Sequence, residues 1–570
     1  MSWPVSRAMV FWAVLAACAV LWQPGFYLND EFSQALGLAS LHQGSYVVDG
    51  AHVPEGYRAI ENEIRGHYGI PPEDSTIRPI GSDLLNALAL PVRVVLGALA
   101  TPLGVGPALG LVASLAIFQA ARTHGLPLLG ATAVSSIAWA TSWRNLGVEA
   151  HPFLDIASIQ VVGALLHAAA TTLIWDLLRG HGSARRAGLG AMLYALGTPA
   201  LFWALNGKYH GVGISLAAIT IWVYQRGART APARTALAFA LVGLSMSNHL
   251  PTGLVLLAST GLMALPTLRL GWQPFMARAG AGGAGLLFGL IPEMLFRRVR
   301  SQLELGERYY RQEPTTDVGE AVGGAIVEAS RQNSVGYLQW AAWNDPLAAI
   351  TAMGQNWFWL SWRVPEVGEA LPFLALVPLL AAAPWYWRRM PPGVLRIWPA
   401  IHLGVITVFM GVGIYRNGAG LDLRHVATLW PFLVLWLAGP LSAATGGPAT
   451  MARRTGLLLA AGIALLMPLF VYREVAGTYV FELGTIFEFT QPVRYVGVCL
   501  ALAVALFHAV PRLAQHASTA VGWAAAWSIG VQVLMQLGPA RLPGHAAAAP
   551  FVFAPMEMVG RFVDWWLMGY

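Results

Sequence analysis

Fifteen apolar stretches recur along this chain, and the short loops between them alternate sharply in charge. They lie near 8–24, 105–121, 127–142, 156–175, 188–205, 211–224, 236–248, 251–265, 279–296, 371–387, 397–415, 425–442, 455–472, 495–510 and 518–537. A helix that crosses a bilayer needs about 20 consecutive apolar residues. Most of these stretches meet that length. Those at 211–224, 236–248 and 251–265 are short enough to be half-helices or a re-entrant pair. Composition agrees: 56% of the 570 residues are hydrophobic and 11% are charged. Ordinary soluble domains carry about 25% charged residues. A surface in water could not be covered by so few, which excludes a soluble multidomain enzyme, a disordered tail and a fibrous repeat. The expectation is an all-α polytopic membrane protein of about 13–15 spanning helices in a cell membrane.

Orientation follows from the loops. Those at 122–126, 176–187, 225–235, 266–278, 388–396, 443–454 and 511–517 are rich in arginine and contain one acid, Asp176. Positive loops stay cytoplasmic. The alternate loops then face outward and hold most of the acids, in a first outer loop at 25–104 and a large one at 297–370. Parity leaves no room for a span at 84–100. That stretch, with Pro91 and Arg93 inside it, is expected to lie in the outer interface, as are 346–361 and the C-terminal 556–570 with Trp565 and Trp566. Residues 1–445 form the first region and 446–570 add C-terminal helices and an interfacial tail. The first span is read as retained rather than as a cleaved signal peptide.

Charge near the outer boundary is where chemistry can sit. Asp30 and Glu31 directly follow the first span. A carboxylate there is partly desolvated and can act as a general base; Asn29-Asp30 also reads as a helix N-cap. The next outer loop offers Glu149, with Asp155 behind it. Lys208 is the one lysine of the chain, in NGKYHG at an outer tip beside His210. It either snorkels to headgroups or meets a lipid-linked phosphate. Arg416 and Arg424 flank a Gly-rich loop around Asp422, and Arg363 stands between Trp362 and Pro365. Arginine suits bidentate phosphate contact, while pairing with Asp422 is the plainer role. His249, in SNHLPT, reads as a polar helix cap, and Glu293 as a partner for Arg297. Most of the 23 tryptophans read as interfacial belts, with Trp340, Trp343, Trp357 and Trp359 able to stack on a sugar. Cys18 and Cys499 make neither a disulfide framework nor a metal spacing. The basic residues form no nucleic-acid patch, no Gly-rich nucleotide loop is present, and no cofactor or metal is expected.

In order and sidedness these motifs resemble the GT-C glycosyltransferases, of the protein mannosyltransferase and aminoarabinose transferase kind. The likeness covers about residues 8–445. It is carried by the acidic pair after the first span, by IRPIGSDLLNALALP (77–91), by GSARRAGLGAMLYALGTPALFWALNGKYHGVGISLAA (182–218), by LVGLSMSNHLPTGLVLL (241–257), by WFWLSWRVPEVGEALPFLALVPLL (357–380) and by YRNGAGLDLRHVATLWPFLVL (415–435). The chain departs from the family at His425, where an aromatic or leucine usually follows the arginine. The resemblance implies a polyprenyl-phosphate sugar donor and a site at the outer face. It implies Asp30 as the base, with Glu31 as an interchangeable neighbour and Glu149 assisting. The donor phosphate would then lie among Lys208, His210, Arg416, Arg424 and Arg363. Sugar and acceptor (a lipid, a glycan or a protein) stay open. The rival expectation is a multi-pass transporter or lipid flippase, which favours charges in mid-span and symmetric halves.

Overall fold

The structure, a computed structural model, describes residues 6–21, 29–44, 47–49, 77–79, 83–99, 151–205, 207–228, 231–302, 371–387, 390, 393, 395–412, 427–443, 447, 449–461 and 483–537. The expected spans at 105–121 and 127–142, and the expected interfacial helices at 346–361 and 556–570, lie outside these residues.

The described chain is helical apart from one small ribbon. α1 is Arg7–Leu21, α2 Asn29–His42 and α3 Asp83–Leu99. α4 is His151–Gly180, α5 Ala184–Leu196, α6 Thr198–Leu205 and α7 His210–Val223. α8 is Pro232–Asn248, α9 Leu250–Ala264 and α10 Trp272–Gln302. α11 is Leu371–Trp387, α12 Ile397–Val412, α13 Leu429–Ala443 and α14 449–461. α15 is Leu483–Ala509 and α16 Ala517–Leu537. Between α2 and α3, β1 (Val47–Asp49) pairs antiparallel with β2 (Ile77–Pro79), Val48 opposite Arg78. One apolar core runs through the helices, from Val10 in α1 to Ile529 in α16.

Three helical segments among the described residues are long and apolar enough to cross a membrane: Leu154–Gly180, Leu250–Leu270 and Trp272–Leu295. α5 and α6 make a fourth if they count as one span bent by 49°. Shorter apolar helices of 10–17 residues lie at Leu84–Gly97, Leu376–Trp387, Ile397–Phe409, Leu429–Ser442 and Tyr495–Ala509. The expected 13–15 spans are therefore not reached among the described residues. Of the three short stretches, 251–265 becomes full length because a 3₁₀ turn, Leu265–Leu270, extends α9.

Local chemistry explains the breaks. Pro199 lacks an N–H and falls in the first turn of α6, where no intrahelical bond is lost. Gly197 is the residue that turns, and its missing side chain is filled by a neighbour: a Cβ there would lie 1.9 Å from Trp430 Cζ2. α8 and α9 are separated by one extended residue, His249, ahead of Leu250-Pro251. Pro251 falls in the first turn of α9, where its missing N–H leaves no intrahelical bond unmade.

Two helices approach each other at backbone distance. A Cβ on Gly285 or Gly289 of α10 would lie 2.0 Å and 2.1 Å from the carbonyl oxygens of Ala236 and Ala240 of α8. Small residues at one-turn spacing are how helices pack where lipid removes the hydrophobic drive between them. The other face of α10 stays bare: Phe288 is 70% exposed, and Trp272, Leu287 and Leu295 are exposed with it.

Candidate functional site

α4 sets the frame, because it carries an acid near each end. Twenty-one residues separate Asp155 from Asp176, about 31 Å at a rise of about 1.5 Å per residue. That is about the thickness of a bilayer's hydrocarbon core. At one end, Asp176 Oδ1 accepts from Arg7 Nε at 2.9 Å, and its Oδ2 accepts from Trp222 Nε1 at 2.8 Å and from Arg226. The sequence reading placed Asp176 in a loop; the structure places it inside α4, which runs on to Gly180. At the other end, Arg93 of α3 donates to Asp155 Oδ1 at 2.7 Å, and Asp155 is 1% exposed. Arg93 is thus bound to a buried carboxylate, and α3 lies against α4 along its length. Asp155, the reserve acid of the sequence reading, joins two helices.

Lys208 belongs to the Asp155 end. α7 runs beside α4 so that Val212 and Leu216 meet Ile159 and Val162, while Trp222, at its far end, reaches Asp176. The tip that precedes α7 therefore lies toward Asp155. There Lys208 is 5% exposed, its Nζ 5.8 Å from the centre of the Trp203 ring. His210 is buried, edge-on to Trp203 at 4.8 Å and 4.3 Å from Tyr209. The α8–α9 junction closes on the same tip. Asn248 Nδ2 donates to the Tyr209 carbonyl at 2.8 Å, the His249 ring stacks on Tyr209 at 5.0 Å, and His249 meets His210 edge-on at 5.4 Å. Thr252 donates to the His249 carbonyl at 3.0 Å and lies 3.2 Å from its Nδ1. Gly211 permits this closeness, since a Cβ there would sit 2.3 Å from the Trp203 carbonyl oxygen.

The site thus gathers one ammonium, two imidazoles and two aromatic rings where α7 and α9 begin. Helix starts present amide N–H groups and a partial positive charge. With the lysine, they favour an anion with an apolar tail or ring beside it.

The first-loop helices border this tip. Leu38 of α2, Leu85 and Ala89 of α3 and Tyr209 belong to one apolar cluster with the starts of α4 and α7. α1 points the same way, because Arg7 is held at the Asp176 end. Asp30 and Glu31 lie in the first turn of α2, which begins at Asn29. Glu149, Arg363, Arg416 and Arg424 lie outside the described residues.

Of the sequence candidates, the structure brings Lys208 and His210 together and adds His249, read from sequence as a plain cap. Its signal was available: SNHLPT and NGKYHG both end apolar runs on the expected outer side. Among the described residues, no group of three His, Cys, Asp or Glu side chains comes together to hold a metal ion. No family model matches the chain, and no curated protein matches it.

Proposed function

We propose that this chain is an integral-membrane glycosyltransferase that moves a sugar from a polyprenyl-phosphate carrier to an acceptor at the membrane face bearing Lys208. The observation that carries the reading is the burial of the chain's single lysine against Trp203, with His210 and His249 around it, at the end where α2 packs. Anionic phosphate chemistry suits an ammonium with two imidazoles beside it. The bare apolar face of α10 and the close glycine contacts of α8 and α10 support lodging in lipid.

The step is a displacement at the anomeric carbon. Asp30, with Glu31 as its neighbour and Glu149 assisting, takes the proton of an acceptor hydroxyl. The acceptor oxygen bonds to the anomeric carbon as the bond from that carbon to the phosphate oxygen breaks. The polyprenyl phosphate leaves with the electron pair, and Lys208, His210, Arg416, Arg424 and Arg363 stabilise its charge. The configuration inverts. Chemistry at the proton and at the phosphate falls to different residues, so the two separate experimentally. In nanodiscs containing polyprenyl phosphate, Lys208→Met should weaken lipid retention by native mass spectrometry. Asp30→Asn should keep retention and lose sugar transfer in cells. Full transfer by both variants sinks the reading, and retention with no transfer by the wild-type chain favours a carrier of the lipid.

A further inference from the structure

The end of the bundle opposite Lys208 holds a second concentration of positive charge. Ser183 caps α5, its Oγ accepting from the Arg186 N–H at 3.2 Å. The first turn then carries Arg185 and Arg186 and no acid. Cations at a helix start oppose the helix dipole, which favours anions there. Arg186 is only 9% exposed. Its side chain folds back over the turn: a Cβ on Gly182 would lie 2.8 Å from Arg186 Cδ and 3.2 Å from its Nη1. Nη1 donates to the His181 carbonyl at 3.3 Å. Nε and Nη2 are buried and meet no hydrogen-bond partner among the described residues, and Arg185 Nε is in the same condition.

Asp176 is at this end but is occupied by Arg7, Arg226 and Trp222. The His181 ring is 2.9 Å from Gln225 Nε2, which brings the residue before Arg226 against the same turn. Buried donors without acceptors cost free energy that an anion returns. We infer that the turn between α4 and α5 binds a phosphate group, with Arg186 Nε and Nη2 as the principal donors, the α5 helix start behind them and Arg185 beside them. The phosphate belongs either to an anionic phospholipid headgroup or to a free phosphate ion. This site is separate from the one around Lys208 and stands without the transfer reaction.

The test uses the full chain in detergent. Its thermal unfolding midpoint is titrated with inorganic phosphate and, separately, with a short-chain phosphatidylglycerol. A rise with both supports a free-phosphate site; a rise with the lipid alone supports a headgroup site. Arg186→Gln should weaken the half-saturating concentration of the active anion by about tenfold. Without anion it should melt no lower than wild type, because a buried charge has been removed. Arg186→Lys, which keeps the charge and loses the planar fork, should also weaken binding, and it serves if the glutamine variant does not fold. No response to either anion, or variants that respond like wild type, overturns the site. A glutamine variant that melts lower without anion and binds normally shows a structural arginine and overturns it too.

Discussion

Buried charge decides most at the level of single residues. Arg93 and Asp155 satisfy each other across α3 and α4 with little water about them. Removing Arg93 takes the ion pair from a buried carboxylate, so Arg93→Met should lower stability by about 3 kcal/mol. Adding Asp155→Leu should recover much of that loss, and thermal melts of the single and double variants check it. His181 sits outside the apolar segments, and its burial, followed by the charges of Arg186 and Arg226, holds its pKa below the usual histidine value. The sign follows. As pH falls through the unfolded value near 6.5, the unfolded chain takes up a proton that the folded chain refuses, so stability drops. Melts between pH 8 and pH 5 should show this slope in wild type and a shallower one in His181→Gln. At the residue level, Lys208 and His210 stand out in the sequence by position, and Lys208 also by scarcity. For His249 the sequence marked the position, in SNHLPT, but not the Tyr209 ring it stacks on, 40 residues earlier in the chain.

Among the helices, α8 and α10 are the sharpest case. Their glycines and alanines let two backbones touch, and a methyl group at Gly289 already meets the Ala240 carbonyl. Gly289→Ala should cost about 1–3 kcal/mol by overpacking and loosen the α8–α9 tip, because Ser247 donates to the Gly289 carbonyl at 3.0 Å. Gly280→Ala, with open space around it, is the control, and the pair is compared by thermal melts. Helix positions were legible from apolar runs: α11 begins and ends where its run does, at 371 and 387. Ends were less so. α4 passes Asp176 because that carboxylate is neutralised by Arg7 and Arg226, which come from elsewhere in the chain, so the acid did not have to stop the helix.

For the molecule as a whole, the question is which exposed surface meets lipid. Cys499 is exposed and Cys18 buried. If α15 lies in a bilayer, Cys499 faces lipid, where its thiol stays protonated and reacts slowly with maleimides. In intact membranes a charged maleimide should leave it unmodified, and both Cys499 and Cys18 should react once the chain is denatured. Rapid labelling of Cys499 by the charged reagent would argue against membrane lodging.

The amino-acid sequence alone determined that the chain is helical and apolar, where most helices lie, and which few charges are conspicuous. Those features depend on near neighbours: hydrophobic runs, prolines and the scarcity of lysine act within a turn or two. Only the tertiary structure decided which charges are already satisfied. Arg93 and Asp155 are 62 residues apart, and Arg7 and Asp176 169 apart. Whether an ion is neutralised depends on the atoms within a few ångströms of it, and in a helical bundle those atoms come from distant parts of the chain.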